Sequence, residues 1–145
     1  MKLSTRSRYG TRFMMELALH YGEGPIYLKE IARRQNIPDK YLGNLILPLK
    51  TAGLIRAERG AHGGYYLARK PDEITMKDVV EALEGSLSLV ECVETPGACS
   101  RSADCPSHDL WSAVSENMAS TLQSITLKQF AEKHKNKTPE SIYYI

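Results

Sequence analysis

No stretch of this 145-residue chain is apolar for long enough to cross a bilayer, which takes about 20 consecutive apolar residues in a helix. The start, MKLSTRSRYG, lacks the apolar core of a secretory signal. The expectation is a cytoplasmic chain with no membrane partner. Cysteine is scarce: there are three, an odd number that closes no disulfide framework and fits a reducing compartment. Internal repeats and low-complexity segments are absent, and so are a phosphate loop and a nucleophile motif. An enzyme would therefore have no evident residues to carry its chemistry, and none is expected. The apolar fraction of 42% is ordinary for a globular protein, and the length permits a core of useful size.

The net charge of +2 conceals an asymmetry. Residues 1–70 hold 13 Lys and Arg against 5 Asp and Glu, a balance of +8, while residues 71–145 hold 6 against 12, a balance of −6. A basic half joined to an acidic half suggests a polyanion-binding module beside a different one.

Hydrophobic spacing supplies the elements. Tyr9, Phe13, Leu17 and Tyr21 recur every fourth residue and predict a helix over roughly 5–22, stopped by Gly22 and Gly24-Pro25. Leu28, Ile31 and Ala32 mark a short second helix ending near Asn36. Leu42, Leu45, Ile46 and Leu49 mark a third, with Gly53 as its stop. Helix, short turn, helix with a basic exterior is the pattern of a helix-turn-helix. Leu54–Arg56 and Tyr65–Leu67 flank the Gly-rich ERGAHGG and read as a hairpin, a wing. Thr75 and Asp78 form a capping-box pattern before Met76, Val79, Val80 and Leu83. After His108, the stripe Trp111, Val114, Met118, Leu122, Ile125 predicts a long one-sided helix. It needs a partner surface, and a second copy of the chain is the favoured one. Thr126 and Gln129 form another capping-box pattern, opening a short helix through Ala131.

A helix can enter the major groove of DNA and a hairpin can reach the minor groove. Lys40, Tyr41, Gly43, Asn44 and Lys50 lie off the apolar face of the third helix. Asn44 suits an adenine edge, and Lys40 and Lys50 suit phosphate or guanine. Arg59 beside Gly60 at the wing tip suits a narrow minor groove. Arg6, Arg8 and Arg12 are candidates for phosphate anchoring, and His62 for a phosphate contact. The alternative for any one of them is a solvated surface charge. Gly43 and Pro48 both stand inside the third helix, where proline disfavours helix by about 3 kcal/mol; a kink or break near Leu45 to Leu47 is expected.

All three cysteines fall in one segment with a histidine, as Cys92-x6-Cys99-x5-Cys105-x2-His108. Thiolate and imidazole suit zinc or iron–sulfur clusters. Pro96, Gly97 and Pro106 break regular structure between the four, so the loop can wrap a centre. Zinc motifs usually pair cysteines two to four residues apart; the wide spacing here favours a 2Fe–2S cluster with two ligands per iron, with zinc still open. An imidazole in place of a thiolate makes such a cluster less negative, raises its potential and leaves one ligand protonatable. The alternatives are free thiols, and a His108 that merely caps the helix beginning beside Asp109.

The segments LKEIARRQNIPDKYLGNLILPLKTAGLI, RGAHGGYYLAR and CVETPGACSRSADCPSHDLW, with the start MKLSTRSRYG, resemble the family of the iron–sulfur cluster regulator IscR among winged-helix bacterial transcription factors. The resemblance covers nearly the whole chain. It implies a mainly α fold with a small β-hairpin wing: a winged helix-turn-helix domain over 1–84, a connector and cluster-binding loop over 85–108, a dimerisation helix and short C-terminal helix over 109–134, and a tail over 135–145. It implies a homodimer on a two-fold DNA operator and a repressor-type regulator. A 2Fe–2S cluster on Cys92, Cys99, Cys105 and His108 would be supplied by the cluster-assembly machinery, and cluster-biogenesis genes would be the targets. Base contacts would fall on Lys40, Tyr41, Gly43 and Asn44, and wing contacts on Arg59 and Gly60. Relatives that sense nitric oxide share the three cysteines but can hold a 4Fe–4S cluster through a different fourth ligand, in some an N-terminal carboxylate. The first acidic residue here is Glu16, inside the first helix, which favours His108. A redox-sensing repressor, structural zinc and a thiol switch are the alternative readings.

Overall fold

The structure, a computed structural model, describes residues 2–137. The remainder of the expected tail, from residue 138 on, lies outside the described residues.

Helix α1 (Thr5–Leu19) buries Phe13, Met14 and Leu17. It ends earlier than its sequence spacing suggests: His20 leaves helical geometry, and Tyr21, expected on the apolar face, is 49% exposed. Gly10 of α1 faces Leu83, and a side-chain carbon there would collide with it. Helix α2 (Leu28–Gln35) stops at Asn36, which takes the left-handed conformation (φ 53°) and donates its N–H to the carbonyls of Ala32 and Arg33. Asparagine is the usual substitute for glycine at such a stop. Only Asn36 to Pro38 separate α2 from α3 (Asp39–Thr51), which fixes the two helices as a tight pair.

The expected break in α3 does not occur; one helix runs through Gly43 and Pro48. The physical reason is burial. Leu42, Leu45 and Leu49 are each 0% exposed, and at about 1.5–3 kcal/mol per buried leucine they outweigh the roughly 3 kcal/mol penalty of an interior proline.

Strands β1 (Ile55–Glu58) and β2 (Gly64–Leu67) form the wing, pairing antiparallel with Ile55 opposite Leu67 and Glu58 opposite Gly64. A third strand-like contact secures it: Ile26 and Tyr65 exchange both backbone hydrogen bonds at 2.9 Å. Gly64 (φ 142°) permits this, because a Cβ there would strike the Ile26 carbonyl.

Helix α4 (Met76–Glu84) carries the expected capping box: Asp78 N–H donates to the Thr75 hydroxyl at 3.1 Å and Thr75 N–H to the Asp78 carboxylate at 2.9 Å. The connector after Gly85 leads to a short helix α5 (Glu91–Glu94), then to α6 (Pro106–Gln123) and α7 (Leu127–Lys137). The long helix starts two residues before His108, with proline at its favoured first position. It ends before Ile125, so that residue lies past the helix rather than on its stripe. Helix α7 opens on the expected Thr126–Gln129 box but runs beyond Ala131, and its fully buried Leu127 joins the same core as Phe13 and Leu45. A two-residue bridge fixes this return: Met76 N–H donates to the Ile125 carbonyl and Leu127 N–H to that of Ile74, both at 2.8 Å. The described residues thus hold seven α-helices, two short 3-10 turns (Pro71–Glu73 and Pro96–Ala98) and one two-stranded sheet. None of the helices is long and apolar enough to cross a membrane.

Candidate nucleic-acid interface and cysteine loop

The buried leucines of α3 turn its opposite side to solvent. Lys40, Gly43, Asn44 and Lys50 are all exposed. Leu47 shares that side, 72% exposed. The apolar reading of the sequence passed over it, although its place seven residues after Lys40 puts it two turns further along one face. Tyr41 behaves differently. It is half-buried and packs edge-on against Tyr9 of α1, with ring centroids 5.1 Å apart. Arg59, Gly60 and His62 are exposed at the wing tip, and Arg6 and Arg8 on the first turns of α1. These positions therefore sit at three accessible places: the solvent side of α3, the wing tip and the start of α1.

Arg12 is the exception among the proposed phosphate anchors. Its Nε donates to Gln35 Oε1 at 3.0 Å and its Nη2 to the Gln35 backbone carbonyl. Its guanidinium carbon also lies 5.7 Å from the Tyr9 ring centroid. Gln35 is buried and donates its amide to Glu16 Oε1 at 2.6 Å. The other oxygen of Glu16 is buried without a hydrogen bond, with the Arg34 guanidinium and the His20 imidazole at 3.5 and 3.6 Å. His20 Nδ1 meets Glu23 at 2.7 Å. This polar network between α1 and α2 escaped the sequence reading, because its members are spread over two helices and a loop.

Two carboxylates titrate low. Hydrogen bonds from Ser4 and Ser7 hold the Glu84 carboxyl below the usual carboxylate range. Arg33 and Arg34 do the same for Glu30, which in turn raises Arg33.

Cys92 lies in α5, Cys99 follows a 3-10 turn over Pro96–Ala98, Cys105 precedes the first residue of α6, and His108 stands in that helix's first turn. His108 does not cap the helix: the residue at the cap is Cys105, and the imidazole turns to Cys92, with Nδ1 3.4 Å from Sγ. All three cysteines are free. Of the four expected ligands this contact joins two, and among the described residues no three metal-ligating side chains converge. The intervening turn is held by local bonds instead, from the Ser102 N–H and hydroxyl to the Cys99 carbonyl, and Cys99 itself is exposed. The donor chemistry, three sulfurs and one imidazole with no carboxylate among them, fits a soft or borderline metal centre.

Helix α6 has little to pack on. Only Ser115 of its residues is buried, accepting the Leu89 N–H at 3.0 Å. Leu110, Trp111 and Val114 are 53, 40 and 39% exposed. Beside them runs a groove of about 770 Å³ lined by Leu3, Val80, Leu87, Leu89, Val114 and Met118 among others.

Residues 3–133 match the family model Rrf2, described as an iron-dependent transcriptional regulator. The chain is 46% identical over 127 residues to protein rrf2 of Nitratidesulfovibrio vulgaris, covering 88% of this chain and 85% of that protein. It is 39% identical over 145 residues to the HTH-type transcriptional regulator CymR of Bacillus subtilis, covering the whole of both. The solved structure of that protein, the global cysteine regulator of B. subtilis, superposes with a TM-score of 0.76 over 92% of this chain and 98% of its own. The structure of T. potens IscR, 36% identical, gives a TM-score of 0.77 over 99% of this chain and 97% of that one.

Proposed function

The chain belongs to the Rrf2 family of transcriptional regulators, a winged-helix protein related to IscR, and from that premise we propose that it is a homodimeric, cytoplasmic DNA-binding regulator that senses iron–sulfur status through a 2Fe–2S cluster and governs cluster-biogenesis genes. The observation that carries the sensor assignment is the 3.4 Å contact between Cys92 and His108. It joins the first and last members of the ligand set across α5 and α6. Cys92, Cys99, Cys105 and His108 would hold the cluster, which when bound supplies a redox-active link whose presence reports cluster supply. The assembly machinery for such clusters is its donor in this reading.

The protein residues do the rest. Lys40, Gly43, Asn44 and Lys50 face the major groove from α3, with Tyr41 held at its edge by Tyr9. Arg59 and Gly60 reach the minor groove, and Arg6 and Arg8 neutralise phosphate. Residues 1–84 read DNA, 85–108 carry the sensor, and the exposed stripe of α6 pairs two copies. A change in the loop reaches the reading heads only if the cluster binds the two dimer states with different affinity.

A second reading is favoured by the exposure of Cys99 and by the likeness to a cysteine regulator: a thiol switch with no cluster. Anaerobic purification separates them. Iron and sulfide in equal amounts with visible absorption are expected for the wild type, and His108→Ala is expected to lose cluster more readily while remaining folded and dimeric. A colourless chain with one zinc would sink the cluster, and so would a metal-free chain whose DNA binding responds to thiol oxidants. Four irons per chain would select the 4Fe–4S alternative. A His108→Ala protein that keeps its cluster as firmly as wild type would remove His108 from the ligand set.

A further inference from the structure

Arg12 of α1 touches α2 directly and reaches α3 through the Tyr9 ring beside it. Toward α2, its guanidinium forks onto the side-chain oxygen and the backbone carbonyl of Gln35, the last residue of that helix. The carbonyls of a final helical turn have no helical donor left, and a cation there also meets the negative end of the helix dipole. Toward α3, the same guanidinium lies by the Tyr9 ring, and Tyr9 packs edge-on against Tyr41 in the first turn of α3. The short turn between the helices is thus straddled from α1 by a stacked pair of side chains, Arg12 on the α2 side and Tyr9 on the α3 side. Gln35 is held from its other side by Glu16, so its amide group is fixed at both ends and cannot swing.

We propose that Arg12 and Gln35 are positioning residues that set the angle of α3 for base reading, and that Arg12 is not a phosphate anchor. The proposal rests on the DNA-binding reading given above. An anchor and a positioning residue leave different marks. Losing one phosphate contact weakens binding to all sequences alike and lowers the salt slope by about 1. Misplacing the reading helix leaves the phosphate count unchanged and erodes the preference for operator over other DNA. Lysine at position 12 would keep the charge, and hence an anchor's function, but its compact ammonium lacks the rigid planar fork that holds both Gln35 oxygens and stacks by the Tyr9 ring.

The test uses the full chain, purified anaerobically, with a duplex selected by the wild type from a random-sequence pool and a scrambled duplex of equal length. Both affinities are measured at several salt concentrations for wild type, Arg12→Lys and Gln35→Met, the latter unable to reach DNA and close in volume to glutamine. Circular dichroism sets a temperature at which each is folded. Arg12→Lys and Gln35→Met should both lose about tenfold in the operator-to-scrambled ratio, the size of one base contact, with the salt slope kept. If Gln35→Met fails to fold, Arg12→Lys decides alone. An Arg12→Lys protein with wild-type preference overturns the proposal, as does a slope reduced by about 1 with the ratio intact. A wild type that enriches no sequence but binds duplex non-specifically overturns the positioning role alone. One that binds no duplex even at low salt overturns the DNA-binding reading, and this inference with it.

Discussion

At Gly10, helix α1 lies so close to α4 that a methyl group would meet the Leu83 side chain, whereas a methyl at Gly43 would point into open space. Both are mid-helix glycines, and the sequence gives no means of telling them apart, because the difference lies in what a distant helix places opposite. Gly43→Ala should stabilise the protein by about 0.5–1 kcal/mol, since alanine loses less backbone entropy in a helix. Gly10→Ala should destabilise it by about 1–3 kcal/mol through overpacking. Urea unfolding of the two variants measures both signs at once. At this scale the nearness of Cys92 and His108 was legible in their clustering within one short segment, whereas nothing in the sequence showed that no third ligand converges on them among the described residues. The role of Arg12 was not legible either: a basic residue on a basic helix reads as an anchor until Gln35 is placed beside it.

Elements join through a few polar contacts. Ser4 and Ser7 at the start of α1 both donate to Glu84 at the end of α4, and this depresses the Glu84 pKa. A carboxyl whose pKa is lower folded than unfolded adds stability above its unfolded value, and that stability is lost as pH falls through the folded one. The double variant Ser4→Ala, Ser7→Ala should therefore be less stable than wild type at neutral pH, by less than about 1 kcal/mol at so exposed a site. The gap should close as pH drops below the carboxylate range. Thermal melts in a pH series give the result; a gap that persists at low pH would assign the effect to packing instead. Both capping boxes were legible, because a box is a three-residue spacing and its hydrogen bonds are local. The unbroken α3 was not, because the three buried leucines that hold it across Pro48 act through the core. The pairing of Ile26 with Tyr65 was hidden for a related reason: it unites residues far apart in the chain, one of them outside any strand.

On the scale of the whole molecule, α6 leaves Leu110, Trp111 and Val114 open to solvent beside an apolar groove. Trp111→Glu should convert the dimer to a monomer of unchanged helical content, as measured by light scattering and circular dichroism. A variant that stays dimeric would move the interface elsewhere. The overall plan, helix-turn-helix followed by wing and long arm, could be read from periodicity alone. The return of α7 to the first core could not, since the stripe that ends α6 and the box that opens α7 say nothing about direction. That return has a mechanical consequence. Because Thr75 and Thr126 are bridged by backbone hydrogen bonds, everything from α4 through the cysteine loop to α6 is a single excursion clasped shut at its base. Helix α6 is no free lever arm: its near end is tethered to the start of α4, and α4 in turn lies against α1 and α3. A tilt imposed at the far end, where the cysteines sit, has its fulcrum beside the DNA-reading core.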